Sequence, residues 1–383
     1  MAGVVRRIAC AVSGGVDSTV AAYLLKQRGY EVTGVFMQNW DTREDDAECT
    51  LDADLEDAEY VCKKLGIPFK VANFVKQYWH DVFSTMLQEY QRGITPNPDI
   101  LCNKKIKFDK FYKYARNNLH MDAIATGHYA RLQQLPGGDV RLLRGVDTQK
   151  DQTFFLSQVE QVPLRRTMFP IGGMLKAEVK GIAKQIGLEK IAKKRESTGI
   201  CFVGKRDFQT FIDKYVEPRS GTFVDVDTGE VVGHHSGVHC WTLGQGCCIG
   251  GKKFPYFVTR VCPDTQTILV AAGTSHPALF CAAFYTSAPH WICDKPFGPG
   301  ESFACLFKSQ HPEEVSPCTV VQNSDLTLEV TLPEPRRAIS PGQFAVFYDG
   351  EVCLGSAKIT QQGPSLHDTI CAGEMECRNP SSG

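Results

Sequence analysis

The stretch Ala11-Val-Ser-Gly-Gly-Val-Asp-Ser18 constrains the fold more than any other part of the chain. It follows Arg6-Arg-Ile-Ala-Cys-Ala-Val12, a brief, mainly apolar run that reads as a buried strand. It leads into Thr19–Gln27, whose spacing predicts an amphipathic helix closed by Gly29 in the left-handed conformation. A Gly-Gly pair between strand and helix turns backbone N–H groups inward at a helix N-terminus, where they can hold phosphate oxygens. A tight turn could need two glycines for its geometry alone. Ser13 and Ser18 around the pair, with an acid at Asp17, favour the phosphate reading. No Gly-Lys-Ser/Thr follows, so this is not a Walker A loop, and it brings no lysine of its own to the β- and γ-phosphates.

Ser-Gly-Gly-x-Asp-Ser resembles the pyrophosphate loop of ATP pyrophosphatases, which cleave ATP between the α- and β-phosphates and attach AMP to a substrate oxygen. The surrounding pattern suits such a domain. Glu31–Met37, Phe69–Val71 and Ala123–Thr126 read as strands, alternating with helices at Asp54–Leu65 (closed by Gly66) and Gln77–Arg92 (closed by Gly93). Alternation of this kind predicts an α/β fold with a mostly parallel, Rossmann-like sheet and ligands at the carboxyl ends of its strands. Ser13–Ser18, Met37 and Gly127 fall on that edge, as one adenine-nucleotide site requires.

Residues 147–216 read as a small, mainly helical central domain, with helices at Lys176–Gln185, before Gly187, and Asp207–Tyr215. Residues 217–383 then read as β-rich, most simply a small barrel or sandwich. Hairpin signals stand at Asp227-Thr-Gly229 and Asp349-Gly350. The catalytic pyrophosphate-loop domain would occupy residues 1–146.

At 383 residues, with 43% hydrophobic and 22% charged residues, the chain has the composition of a soluble globular protein of two or three domains. No run approaches the ~18–20 apolar residues of a membrane span. No export signal is visible, so the sixteen cysteines are expected to be mostly reduced and buried. None is spaced as Cys-x-x-Cys, which argues against a zinc ribbon or an iron–sulfur site built on that motif. A net charge of −1 excludes a globally basic nucleic-acid binder, but the charge is uneven. Asp41–Glu59 carries ten acids against Arg43, and Lys104–Arg116 carries six bases against Asp109. The second segment interleaves Phe108, Phe111, Tyr112 and Tyr114 with its cations, as backbone binding plus base stacking would use. An amphipathic helix with core aromatics and wet lysines fits that segment at least as well.

Two cysteines stand apart from the rest. Thr95-Pro-Asn-Pro-Asp-Ile-Leu-Cys-Asn103 is a proline-stiffened loop that fixes where Asn97, Asp99 and Cys102 point, just before the basic segment. Arg195-Glu-Ser-Thr-Gly-Ile-Cys-Phe-Val-Gly204 places Cys201 in a glycine-bounded turn after three cations. A thiol near cations is more acidic and more nucleophilic.

Together with Ala125-Thr-Gly-His-Tyr-Ala-Arg131, Lys150-Asp-Gln-Thr-Phe-Phe155 and Gly342-Gln-Phe-Ala-Val-Phe-Tyr348, these motifs resemble the tRNA-uridine 2-sulfurtransferase (2-thiouridylase) family, in order, from Arg6 to about Ile359. The resemblance implies a pyrophosphatase α/β domain, a small central domain and a C-terminal β-barrel. It implies that Ala11, Val12, Ser13, Gly14, Gly15, Val16, Asp17, Ser18, Met37 and Gly127 bind ATP, which brings Mg2+ with it and needs no protein metal ligand. Asn97, Pro98 and Asp99 would contact the target base, with Asp99 an acid or base. His128, Lys150, Asp151, Gln152, Arg337 and Gln343 would contact the anticodon region of tRNA. Cys201 would carry a persulfide received from a cysteine-desulfurase relay, and Cys102 would be its partner thiol in a redox disulfide. The chemistry implied is adenylation of the uridine C2 oxygen, then sulfur transfer to the activated carbon of a flipped base.

Two departures concern the barrel. Gln245-Gly246 precedes Cys247-Cys248, where members usually have arginine after the Gln. Leu306-Phe307-Lys308 replaces an Arg-aromatic-Arg run, leaving Lys308 as the charge available to tRNA. The competing enzyme is another pyrophosphate-loop synthetase, of the tRNA lysidine synthetase or amide ligase kind, which needs no paired cysteines. A non-catalytic RNA-binding module would not need an intact phosphate loop. Pro289-His-Trp-Ile292 is closer to animal mitochondrial members than to bacterial ones, so a mitochondrial location is expected, with bacterial-type cytoplasmic as the alternative.

Overall fold

The computed structural model describes residues 5–41, 50–194, 208–251, 254–298, 300–311 and 313–378. Cys201 and the turn around it lie outside the described residues.

The first strand, β1 (Arg7–Ala11), is the middle of a five-stranded parallel sheet, and its residues alternate between two cores. Ile8 and Cys10 face one side and Ala9 and Ala11 the other, as the period of two in a strand dictates. The sheet runs β3 (Phe69–Asn73), β2 (Glu31–Gln38), β1, β4 (Ala123–Ala125), with the two-residue strand Thr167–Met168 at its far edge. The chain reverses strand order at β1, between β2 and β4, so the crevice of a doubly wound sheet opens at the end of β1.

Helices α1 (Val16–Gln27) and α2 (Thr50–Leu65) cover one face together with Lys176–Gln185 and Glu189–Lys193. The other face is covered by two helical runs, residues 75–91 and 98–117. Each contains a π-helical stretch, Trp79–Phe83 in the first and Asn103–Lys110 in the second. Ile106, Phe108, Phe111 and Ala115 of the basic segment are core residues, while Lys105 is exposed and Lys110 and Lys113 pair with Asp109. This is the amphipathic helix, with its aromatics turned inward.

The β-rich remainder divides into two sheets. Residues 221–272 carry five strands around a small core of Phe223, Val258, Ile268 and Val270. Gly221–Asp225 and Val231–His235 form the hairpin expected at Asp227-Thr-Gly229, where Gly229 has φ +70°. The C-terminal sheet closes on itself. Its strands run Phe280–Thr286, Leu328–Arg337, Ser316–Gln322, Ser302–Lys308, Phe344–Asp349 and Val352–Gln362, and the last pairs back to the first. The Asp349-Gly350 turn joins the fifth and sixth of these strands, with Gly350 at φ +54°.

A hairpin from the N-terminal part, Ala130–Gln134 with Val140–Arg144, extends this second sheet. Leu142 and Leu143 pair with Cys353 and Val352 at the edge of the last barrel strand. Among the described residues, no helix is long and apolar enough to cross a membrane.

Candidate active site

Val12–Gly15 form the turn between β1 and α1, and Val16, Asp17 and Ser18 open the helix. The Ser13 amide donates to Ser18 Oγ at 3.2 Å, and Ser18 Oγ donates to the Gly15 carbonyl at 3.1 Å, so the two serines brace the loop from within. Gly14 sits at φ +69°, and a Cβ there would stand 2.5 Å from the Asp54 carbonyl of α2. A side chain is excluded on both counts. Gly15 caps α1 with no side chain, so no side-chain oxygen occupies its first-turn N–H groups. Those donors and the positive end of a twelve-residue helix fit a phosphate group.

The cation that the loop lacks comes from elsewhere. Lys176, the first residue of its helix and 9% exposed, places Nζ 2.7 and 2.8 Å from the two carboxylate oxygens of Asp17. Tyr129 donates its hydroxyl to the same carboxylate at 2.8 Å. Gly127, at the end of β4, packs so closely that a Cβ would lie 2.6 Å from the Ser18 amide nitrogen. Met37 ends the same edge on β2, half-buried. The loop and Gly127 therefore meet as the sequence suggests. Lys176 and Tyr129 were not singled out by sequence, since the helix start at Lys176 was legible but its target was not.

A second ionic clasp lies beside the loop. Asp57 of α2, 5% exposed, receives Lys190 and Lys194 at 2.7 Å each, and Lys194 also reaches Asp54 at 2.6 Å and the Gly14 carbonyl at 3.5 Å. Burial works to raise the Asp57 carboxyl, but the two lysine hydrogen bonds outweigh it and hold it below the usual carboxylate range. Part of the acidic run Asp41–Glu59 is thus a lysine-binding face.

On the opposite side of the sheet, Asn97 caps the helix Pro98–Cys102, accepting the Ile100 amide at 3.3 Å. Pro98 at its first position suits the fixed proline φ. Asn97 Nδ2 also donates to Gln343 Oε1 at 3.1 Å, and Gln343 Nε2 donates to the carbonyls of Thr95 and Pro96 at 3.0 and 3.1 Å. Gly342 permits this contact, because a Cβ there would stand 2.3 Å from Ile94 and 2.6 Å from the Thr95 carbonyl. The barrel therefore holds the loop that leads to Cys102, a buried residue at the end of that helix.

Asp99 is half-buried, and burial pushes its carboxyl above the ordinary range despite Lys107 and His311 nearby. Asn103 donates to the Asp99 carbonyl at 2.9 Å. His311, which sequence reasoning did not select, reaches this region from the loop after Ser302–Lys308. It stacks on Phe155 at 4.6 Å and pairs through Nε2 with the Asp151 carbonyl at 2.8 Å.

Several residues expected at the tRNA surface are held inside in this structure. His128 is 8% exposed between Phe108 and Phe169, with Nδ1 2.6 Å from Thr126 Oγ1. Burial, with Lys107 adding to it, drives its imidazole well below 6.5. The Asp151 side chain has no exposure and accepts from Gly145, Thr153 and Arg144, with Lys308 at 3.8 Å. Lys308, 4% exposed, lies over the rings of Phe154 and Tyr348. Gln152 accepts the Tyr129 amide at 3.0 Å. Arg337 donates to the Gly244 carbonyl at 2.9 Å and covers Phe257, joining the barrel to the 221–272 sheet. Lys150 stays half-exposed. Among the described residues, Asp213, His239 and Cys240 form the one group spaced for a metal, and His239 Nε2 is there engaged with Asp213 at 2.9 Å.

Family profiles match three successive segments of the chain. Residues 6–205 match the profile described as a tRNA methyl transferase HUP domain, 209–272 the corresponding PRC-barrel domain, and 281–359 an aminomethyltransferase β-barrel domain. Mitochondrial tRNA-specific 2-thiouridylase 1 of Drosophila melanogaster is 48% identical over 94% of this chain and 95% of its own length. The Danio rerio protein of the same name is 48% identical over 95% and 93%. The tRNA-specific 2-thiouridylase of Yersinia pestis is 44% identical over 94% and 97%. Among solved structures, a 4-thiouridine synthetase–RNA complex with bound ATP aligns with a TM-score of 0.32 at 18% identity, over 55% of this chain and 49% of that one, too distant to carry an argument. With relatives this similar along almost its whole length, the chain belongs to the tRNA-specific 2-thiouridylase family.

Proposed function

We propose that this protein is a mitochondrial sulfurtransferase that converts the wobble uridine of tRNA to 2-thiouridine, with ATP as the activating substrate. The observation that carries the ATP step is the braced glycine loop at the end of β1, whose acid Asp17 holds Lys176 beside the uncapped first turn of α1. That arrangement offers N–H donors and one buried cation to a polyphosphate, with Mg2+ on the phosphates. ATP supplies AMP to the uridine C2 oxygen, turning a poor leaving group into a good one, and pyrophosphate departs.

The chain's own residues do the rest. Asn97, Pro98 and Asp99 hold the flipped base, and Asp99, whose carboxyl burial favours the protonated form, exchanges the N3 proton. Cys201 carries sulfur as a persulfide delivered by a donor thiol. The Cys102 thiolate attacks the inner sulfur of that persulfide, the outer sulfur leaves as the nucleophile that adds to C2, and AMP departs from the same carbon. A Cys102–Cys201 disulfide remains, which an external dithiol reduces before the next turnover. Lys150, Gln152 and the exposed cations of residues 104–113 are nearest to the character of a phosphate-binding surface. The lysidine-synthetase alternative has no use for paired thiols.

Nucleoside mass analysis of tRNA incubated with the protein, ATP and a persulfide donor tests this reading. It expects 2-thiouridine and one AMP per thiolation. Cys201→Ser should lose both the bound persulfide and thiolation, and Cys102→Ser should keep the persulfide yet transfer none. Release of ADP, or thiolation by Cys102→Ser at the wild-type rate, overturns the corresponding step.

A further inference from the structure

The barrel carries a pair of thiols that the sulfur-transfer reading does not use. Ser302–Lys308 and Ser316–Gln322 are neighbouring antiparallel strands, and their register sets Cys305 directly opposite Cys318. Residues opposite each other share a face of the sheet, with Cα atoms about 4.5–5.5 Å apart, inside the range a disulfide spans. The two sulfurs lie 3.5 Å apart. Cys318 is 3% exposed in the barrel core beside Val320 and Phe307, whereas Cys305 is half-buried and reachable from outside.

We propose that Cys305 and Cys318 are an oxidisable dithiol that a hydroperoxide converts to a cross-strand disulfide in the folded protein. Closing the bond needs the sulfurs to approach by about 1.5 Å, to the ordinary S–S length near 2.05 Å, which rotation about the two Cα–Cβ bonds supplies without moving the strands. The order of events follows from exposure. The hydrogen bond to Cys305 and burial both keep the Cys318 thiol protonated, so Cys305 reacts first. Its thiolate attacks the peroxide oxygen, breaking the O–O bond and leaving a sulfenic acid and one water. Cys318 sulfur then displaces the hydroxyl from that sulfur, its proton leaving with the hydroxyl as a second water. Two thiols lose two electrons, and hydrogen peroxide takes them up.

The link would tie two strands whose cysteines stand thirteen positions apart, and so would restrain the unfolded chain. It would do so in the barrel, on a different sheet from the helix that ends at Cys102.

The test uses the full-length, fully reduced protein treated with hydrogen peroxide, then denatured, alkylated and mapped by mass spectrometry. The Cys305 and Cys318 peptides should appear joined, with the loss of two hydrogens, while the deeply buried Cys281 and Cys353 of the same molecules remain alkylated. The melting temperature should rise on oxidation and return on thiol reduction. In Cys305→Ser, which keeps the strand pairing, that rise should vanish and Cys318 should stay fully alkylated. If Cys305 and Cys318 both remain alkylated at a dose that has consumed the exposed Cys248, or if Cys305 links to another cysteine, the pair is a packing contact and the inference fails.

Discussion

Asp17 and Lys176 stand 159 positions apart, yet the fold pairs them beside the glycine loop at the end of β1. Charge-assisted contacts of this kind contribute roughly 1.5–3 kcal/mol, so Lys176→Met should weaken ATP binding by about 10- to 100-fold. Equilibrium dialysis with labelled ATP measures this, and unchanged affinity would restrict Lys176 to holding Asp17 in place. Asp99 makes an opposite trade. Its folded pKa is raised, so its contribution to stability is full below the ordinary carboxylate range and is lost as pH rises through the folded value. Asp99→Asn should therefore be more stable than the wild type at neutral pH, with the difference closing in acid, while thiolation is lost. Urea midpoints at the two pH values read the first effect. His128 carries the reverse sign, its folded value lying below 6.5. Its contribution is full above that pH and is lost as pH falls toward the folded value, so His128→Asn should flatten the loss of stability on mild acidification. These residues were legible as a motif, but their burial was not. A sequence gives Asp151 and Lys308 as polar residues without saying that they face each other under Tyr348.

Elements were more legible than partners. Lys176–Gln185 ends just before the Gly187 cap, as read, and four of the five strands of the parallel sheet fall on the apolar runs, the short edge strand Thr167–Met168 being the one not read. The Ala130–Arg144 hairpin was missed, although Pro136-Gly-Gly-Asp139 stands at its turn. The strand it pairs with lies more than two hundred residues away, so no local signal marks its partner. The π-helical stretches were likewise invisible, since one added residue in a helix changes register without changing composition. The contact of α2 with the phosphate loop makes a prediction at this scale. Gly14→Ala should abolish ATP binding and lower stability, because left-handed backbone costs about 1–2 kcal/mol for a residue with a Cβ, before the clash with Asp54 is counted. A circular dichroism melt together with ATP titration checks both, and a variant that binds ATP normally would remove the need for close packing of α2.

At the scale of the whole molecule, the three units are joined by buried and part-buried contacts. Arg337 fastens the barrel to the 221–272 sheet, Gln343 fastens it to the Asn97 loop, and Asp151 lies with Arg144 and Lys308 where the hairpin meets the barrel. Removing one partner of a buried ion pair leaves its charge unanswered, so Asp151→Ala should cost about 3–5 kcal/mol, read from urea unfolding of the full chain. A loss below about 1 kcal/mol, typical of exposed pairs, would return Asp151 to the surface role that its motif suggested. Gln343→Ala should raise the KM for tRNA while leaving ATP affinity unchanged, because it frees the Asn97 loop and touches nothing at the phosphate loop. Deleting everything after Tyr215 would not leave an intact ATP-binding core. Such a fragment would keep the hairpin of residues 130–144 with no strand to pair with and Asp151 with one cation missing. The same geometry bears on synthesis. At roughly 5–20 residues per second, a ribosome spends tens of seconds between making Leu143 and making Val352, its pairing partner. Throughout that interval the nascent chain displays an open strand edge, the kind of surface that invites pairing with other chains. In the folded protein that edge is closed only by the last barrel strand, the final strand of the chain to be made.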